Sequence, residues 1–346
     1  MWSPVFERMV VEGDDPQYRV GHPLVDEFLV FAHGRCRPNT VRCYAHDLKV
    51  FFTVVAKEPV EVTAKDVLGF VAAQRRPRRG AENVVRISDG EAGLAVSTVK
   101  RRLSAVASFY AYLVVRGDVD ANPVPRGLPT RGTRRSGKRA MPLVRGVRRL
   151  PRILNPHEVD ALVGALRTDR DRAMVQAMLL GGLRRCEVLG LRLEDLRLGE
   201  WRVFIDNGKG GHQRLVPVSA TFFTAVADYL NRERPADAST DRLFVALKAP
   251  RRGAPLSADG LGEVLAAARR RAGLAHGTCH ELRHTCLTRL REAGMPIEAV
   301  QAQAGHQSIA STRIYLHLGA DWLADEYRRA CEAVEAQAAV GTAVAQ

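Results

Sequence analysis

The chain has 346 residues and carries 52 Lys or Arg against 38 Asp or Glu, a formal net charge of +14. Its 46% hydrophobic and 26% charged residues are an ordinary globular composition, which excludes a fibrous or disordered chain, and the length fits roughly two domains. No apolar run nears the ~18 residues of a membrane span. The start, Met1-Trp2-Ser3-Pro4, lacks the basic and apolar regions of a secretory signal. Six scattered cysteines without a CxxC pair read as reduced thiols. These features imply a cytoplasmic protein with no membrane partner. The basic excess points to a polyanion, nucleic acid foremost, although charge alone does not separate DNA from RNA or an anionic membrane.

The first twenty residues show no clear pattern and are expected to form an N-terminal extension (1–20). Four helices then follow. His22 to His33 places Leu24, Val25, Phe28, Leu29 and Phe31 on one stripe. Asn39 is the expected cap of a run to Val55 with Val41, Tyr44, Leu48, Phe51 and Phe52 at helical spacing. Thr63 caps a third run, which ends in the basic cluster Arg75, Arg76, Arg78 and Arg79. Ser97 is the expected cap of a fourth, which Gly117 stops. With no strand signal, residues 21–120 predict a small all-α domain.

From Ala121 to His157 there is no Asp or Glu, while ten Arg or Lys occur, among them Arg134, Arg135, Lys138 and Arg139. This predicts a linker (121–152) that is drawn onto phosphate. A second domain (153–320) opens at Asn155-Pro156-His157-Glu158, a helix start with cap, Pro and acid in their favoured places. Helices are expected at 169–180 and 184–190. A hairpin follows, with strands Trp201 to Ile205 and Arg214 to Val218 and a Gly-rich turn. Helices resume at Ser219 to Arg232, Ser257 to Arg271, Thr278 to Glu292, Pro296 to Gln303 and about 311–318. An Ala-rich helix and tail (321–346) end the chain. The expected class is mainly α with a small β-hairpin or sheet in the second domain, α+β overall.

Several segments could carry chemistry. In Thr278-Cys279-His280-Glu281-Leu282-Arg283-His284, Thr278 and Glu281 form a capping box. His280 and Arg283, three apart, are expected to share a face near the helix start, where an anion is favoured. Gly181-Gly182 precede Arg184, with Glu187 one turn on. Lys209 sits in the Gly-rich turn. Gly305-His306 and Tyr315 complete the set. Taken singly, each is more readily a capped surface helix, a solvated turn or a core tyrosine. His276, Cys279, His280, His284 and Cys286 crowd one stretch with no second pair at zinc spacing, so no metal is expected.

Together, in this order and spacing, the segments resemble the tyrosine recombinase (phage integrase) family. The flanks agree: Gly-Leu-Arg…Glu-Val-Leu-Gly-Leu over 182–191, Gly-Lys-Gly…Arg-Leu-Val-Pro-Val over 208–218, His-Glu-Leu-Arg-His-Thr over 280–285, and Gly-His-Gln-Ser-Ile…Thr-x-x-Tyr-x-His over 305–317. Arg185-Cys186 is a mild departure, since the family often has a small or apolar residue and then Ser there. The resemblance implies a two-domain, C-shaped DNA clamp: a helical core-binding (SAM-like) domain, a catalytic domain, and a C-terminal element that docks on a neighbouring protomer. It implies a site-specific DNA recombinase with Tyr315 as nucleophile, leaving a 3′-phosphotyrosyl link. Arg184 and Arg283 would clamp the phosphate, His280 would act as base, Lys209 as acid, and His306 would bond the phosphate. Glu187 would orient the arginine or the helix start. The linker residues and the 75–79 cluster would bind DNA. No metal, ATP or other cofactor is implied. The partners would be double-stranded target sites and three further copies, a homotetramer on DNA at the nucleoid. A type IB topoisomerase-like relaxing enzyme and a non-catalytic DNA-binding protein on the same fold remain alternatives.

Overall fold

A computed structural model describes residues 2–10, 15–76, 93–125, 127, 143–144, 151–206, 213–306 and 312. The chain divides into two compact units, Met1–Arg148 and Arg149–Gln346. Among the described residues no helix is long and apolar enough to cross a membrane.

The first unit contains α1 (Pro23–His33), α2 (Pro38–Val55), α3 (Ala64–Arg75) and α4 (Val96–Arg116). Their apolar stripes meet in an aromatic core. Phe51 packs edge-on against Phe52 and Phe70, and Phe52 packs edge-on against Phe109. Tyr110 is fully buried and donates its hydroxyl to Pro59 O at 2.8 Å. Each such ring contributes on the order of 1.5–3 kcal/mol by leaving water. Asp66 accepts from the backbone N–H and the hydroxyl of Thr63 at 2.9 and 2.7 Å, so α3 starts where its acid–hydroxyl spacing predicts. Gly117, at φ +84°, ends α4 as expected.

Two expected caps are corrected. Helix α2 starts at Pro38 after Arg37, because proline already holds the φ that a first helical residue needs. Helix α4 starts after Ala95, which places Ser97 inside the first turn. The patternless beginning is also corrected. β1 (Glu7–Met9) and β2 (Gln17–Arg19) form an antiparallel ribbon. Tyr18 and Val20 are buried in the same core as the helices, and the Trp2 ring lies 5.1 Å from that of Phe52.

The second unit contains α5 (Pro156–Gly164), α6 (Asp169–Gly181), α7 (Arg185–Gly190), β3 (Leu196–Arg197), β4 (Arg202–Ile205), β5 (Arg214–Pro217), α8 (Ala220–Arg232), α9 (Ala258–Arg271), α10 (Cys279–Glu292) and α11 (Ile297–Ala304). Asn155 and Glu158 exchange reciprocal bonds of 2.9 Å at the start of α5. The expected hairpin is present, with Ile205 opposite Arg214 and Arg202 opposite Pro217. Two-residue β3 adds an unexpected third strand beside β4. Helix α6 is central. Ala173, Met174, Val175, Ala177 and Met178 are fully buried, and α8 and α10 pack against it. Gln303 of α11 donates to Gly181 O at 3.0 Å and Pro217 O at 2.9 Å, tying the end of α6 to the end of β5. The helix expected at about 311–318 and the Ala-rich helix and tail expected at 321–346 lie outside the described residues, except for Thr312.

Candidate active site

The site is built on the break between α6 and α7. Gly182 takes φ +64° and ends α6. Leu183 is buried and Arg184 is the N-cap of α7, in extended conformation. Glu187, three residues on, accepts from Arg184 N at 2.8 Å and from Arg184 Nη1 at 2.7 Å. The acid therefore caps the helix start and bonds the arginine side chain. Arg184 Nη2 donates to Gly305 O at 2.9 Å.

Arg283 comes from α10 and reaches the same corner. It is buried and donates to Gly182 O, to Ala304 O at 2.6 Å, and lies 3.2 Å from His306 Nε2. His306 Nδ1 is 3.0 Å from the hydroxyl of buried Thr312, three residues before Tyr315. Two guanidiniums from different helices thus meet at one turn, 304–306.

The helix start at Thr278 is as predicted. Its capping bonds are the reciprocal ones the sequence predicts. Glu281 accepts from Gly277 N at 2.9 Å and Thr278 N at 2.7 Å, and Thr278 takes the Glu281 N–H in return. Arg283 stands one turn further in, on the same helix. His280 and Arg283 each have their own hydrogen-bond partners. His280 Nε2 lies 2.8 Å from His284 Nε2, a residue to which the sequence pattern gave no role. Burial, then the charges of His280 and Arg283, push His284 down to about 4. His280 is also held below its ordinary value, by burial and then by Arg283 and Arg184, with Glu281 opposing. Both rings are therefore neutral at pH 7, which leaves His280 a nitrogen able to accept a proton.

Arg214, the first residue of β5, was also missed. Its Nη1 and Nη2 meet Glu187 Oε1 and Oε2, each at 3.0 Å. Burial alone would raise the Glu187 carboxyl. The bonds and charge of Arg214, then those of Arg184, bring it down to about 2 instead. Its role comes from its nearness in space to Glu187. Among the described residues no three His, Cys, Asp or Glu side chains converge as a metal site would require. Arg75 donates to Leu94 O at 3.3 Å and Arg76 caps α3. Lys209, Tyr315, Arg78, Arg79, Arg134, Arg135, Lys138 and Arg139 lie outside the described residues.

The model of the phage integrase family matches residues 152–321, and that of its N-terminal SAM-like domain matches residues 25–117. The chain is 31% identical over 295 residues to tyrosine recombinase XerC of Roseiflexus sp. (strain RS-1), covering 81% of this chain and 83% of the relative. The chain belongs to the phage integrase family of tyrosine recombinases. A second member of the family, tyrosine recombinase XerD of Listeria monocytogenes serotype 4b (strain F2365), is 28% identical over 322 residues, covering 88% of this chain and 97% of that protein. The Tn1549 transposon integrase in complex with transposon right-end DNA has the same fold, with a TM-score of 0.65, 17% identity, and coverage of 89% and 98% of the two chains. Membership accounts for the mainly helical architecture with small antiparallel sheets.

Proposed function

We propose that the chain is a site-specific recombinase that cleaves and rejoins double-stranded DNA through a 3′-phosphotyrosyl intermediate, using neither metal nor ATP. The observation that carries this is the meeting of Arg184 and Arg283 at the 304–306 turn, beside His306. In the attack, charge accumulates on the non-bridging oxygens of the phosphate. Fixed guanidiniums stabilise that charge without reorganising. The phenol oxygen of Tyr315 forms a bond to phosphorus, and the bond to the 5′-oxygen breaks. The phenol proton passes to neutral His280, and Lys209 protonates the departing 5′-oxygen. Rejoining is the reverse. One ester replaces another, so no external energy source is needed. Exchange between two duplexes takes four cleavages, hence four protomers on DNA at the nucleoid. The 75–79 cluster and the 121–152 stretch bind phosphate independently of sequence. Changing Arg134, Arg135, Lys138 and Arg139 to Gln is expected to lower the log–log salt slope by about 0.9 for each phosphate that is no longer neutralised.

The test uses a duplex recovered from a random-sequence library by covalent capture on the protein, then nicked to trap the intermediate. The wild-type chain is expected to yield a phenol-resistant adduct, and Tyr315→Phe to bind equally but yield none. An adduct from Tyr315→Phe moves the nucleophile elsewhere. Relaxation of supercoiled plasmid without strand exchange between paired sites makes the chain a relaxing enzyme. No adduct from the wild type makes it a DNA-binding protein.

A further inference from the structure

We infer that Arg214 is a positioning residue for the phosphate clamp: by gripping both oxygens of Glu187 it keeps that carboxylate from closing on Arg184, and so leaves Arg184 donors for the scissile phosphate. The inference rests on the recombinase reading above and gives a role to a residue outside the catalytic set.

The geometry is that of a fork. Arg214 Nη1 to Oε1 and Nη2 to Oε2 are both 3.0 Å, two parallel bonds that fix the plane of the carboxylate. Arg184 then meets the same carboxylate through one side-chain nitrogen, Nη1, at 2.7 Å. Its Nη2 reaches Gly305 O, and the rest of its five N–H groups meet no acceptor among the described residues. The Arg184 side chain keeps 18% of its surface exposed, whereas Glu187 keeps none.

Consider the pair without Arg214. One buried carboxylate would face one guanidinium, and the preferred arrangement of that pair is itself bidentate. Arg184 would turn to use both nitrogens on Glu187 and be neutralised by it. With Arg214 present, two cations share one anion, and the cluster keeps a net positive charge beside a third cation, Arg283. Hydrogen bonding at Glu187 favours this division, since its carboxyl is held well below the usual range despite its burial.

Arg214 also sets the height of the turn that bears His306. Gly305 has φ +59°, and a Cβ there would lie 2.8 Å from Arg214 Cζ. The turn rests on the guanidinium with no room for a side chain. Arg214 itself stands opposite Ile205 at the last described pair of the hairpin, where Asp206 and Gln213 are joined by a 2.7 Å bond. Its side chain is 14% exposed, and its Nε is buried with no hydrogen-bond partner among the described residues, so it is not a surface residue waiting for DNA.

The test is a double-mutant cycle on the full-length protein, with the captured duplex as substrate. Arg214→Lys keeps the charge and removes the fork; it is expected to cut single-turnover cleavage by about 30-fold or more, with DNA affinity within about three-fold of wild type. In an Arg184→Ala background, Arg214→Lys is expected to cost less than about three-fold more, because the residue through which it acts is gone. In a Lys209→Ala background the full loss is expected to persist. A second measurement needs no cleavage. Replacing the scissile phosphate by neutral methylphosphonate is expected to weaken binding of the wild type, and to weaken Arg214→Lys much less. Equal loss from Arg214→Lys in the presence and absence of Arg184, a wild-type cleavage rate for Arg214→Lys, or undiminished discrimination against methylphosphonate each overturns the inference. If the wild type forms no adduct, no duplex is captured, the recombinase reading fails and this inference, which rests on it, falls with it; a wild-type adduct accompanied by any of the three results above overturns the inference alone. A lowered melting midpoint for Arg214→Lys with normal discrimination assigns the fork to folding alone and overturns the inference as well.

Discussion

Asp47 in the first unit and Glu187 in the second are both buried carboxylates facing two arginines, yet they titrate in opposite directions. Burial dominates at Asp47 and raises its pKa, against the opposing charges of Arg101, Arg102 and His46. At Glu187 burial acts the same way and loses, leaving the group at about 2. The difference lies in directed bonds. Arg101 bonds one oxygen of Asp47, Arg102 Nε stays 3.8 Å from the other, and that oxygen has no hydrogen-bond partner among the described residues. Glu187 takes four hydrogen bonds, spread over both oxygens. Nearby charge does not by itself compensate desolvation; donors aimed at the lone pairs do. The first unit uses its arginines to hold helices together. The second holds its arginines in place with backbone carbonyls and one acid.

The largest expected effect tests that contrast directly. Glu187→Gln removes the charge and keeps the shape, leaving Arg184 and Arg214, both half-buried, without their counter-charge. A loss of about 3–5 kcal/mol is expected in urea unfolding. The matching change in the first unit, Asp47→Asn, is expected to stay within about 1 kcal/mol of wild type, because it also removes a poorly compensated buried charge. Equal costs at the two positions would show that bond count is not what separates them.

A smaller effect concerns pH. The folded His284 titrates at about 4, below its ordinary value of 6.5. Between those values the unfolded chain binds the proton more readily than the folded one. Stability contributed by the neutral ring is therefore full above about pH 6.5 and falls as pH drops toward about 4, by up to ~3 kcal/mol. Urea midpoints at pH 7 and pH 5 measure this. His284→Gln, which cannot titrate, is expected to flatten that part of the curve. An unchanged slope would place the acid sensitivity at other groups.

The smallest effect is expected at Arg101, whose side chain is 46% exposed. Arg101→Gln is expected to change stability by about 0–1 kcal/mol, as for other solvent-screened pairs. A loss as large as that from Glu187→Gln would mean that the Asp47 cluster is as tightly organised as the site, and would erase the contrast between the units.

Much of this was legible in the sequence where local rules decide. Thr63, Asn155 and Thr278 start helices because a cap and an acid three residues on satisfy each other whatever the rest of the chain does. The hairpin strands follow from alternation. Asn39 and Ser97 misled because a good capping side chain was preferred over Pro38, which fixes φ outright, and over the apolar run that extends α4 to Val96. The β1–β2 ribbon was invisible because three-residue strands have no period; Trp2, Phe6 and Tyr18 join the core only through tertiary packing. Arg184, Arg283 and His306 could be picked by order and spacing. Arg214 could not, since its role depends on a carboxylate 27 positions earlier in the chain.

Gly182 and Gly305 limit how this recombinase can be redesigned. Each hands a backbone carbonyl to an arginine, Gly182 to Arg283 and Gly305 to Arg184. Each does so from a left-handed conformation, φ +64° and +59°, that a β-carbon penalises. At Gly182 the missing atom would sit 3.2 Å from Leu287, and at Gly305 it would strike Arg214. An alanine at either position is therefore strained, and at Gly305 it displaces the Arg214 guanidinium. A search for variants around the clamp meets its backbone constraint at these two positions. A lineage that drifts at either one loses the orientation of an arginine while every arginine is still encoded.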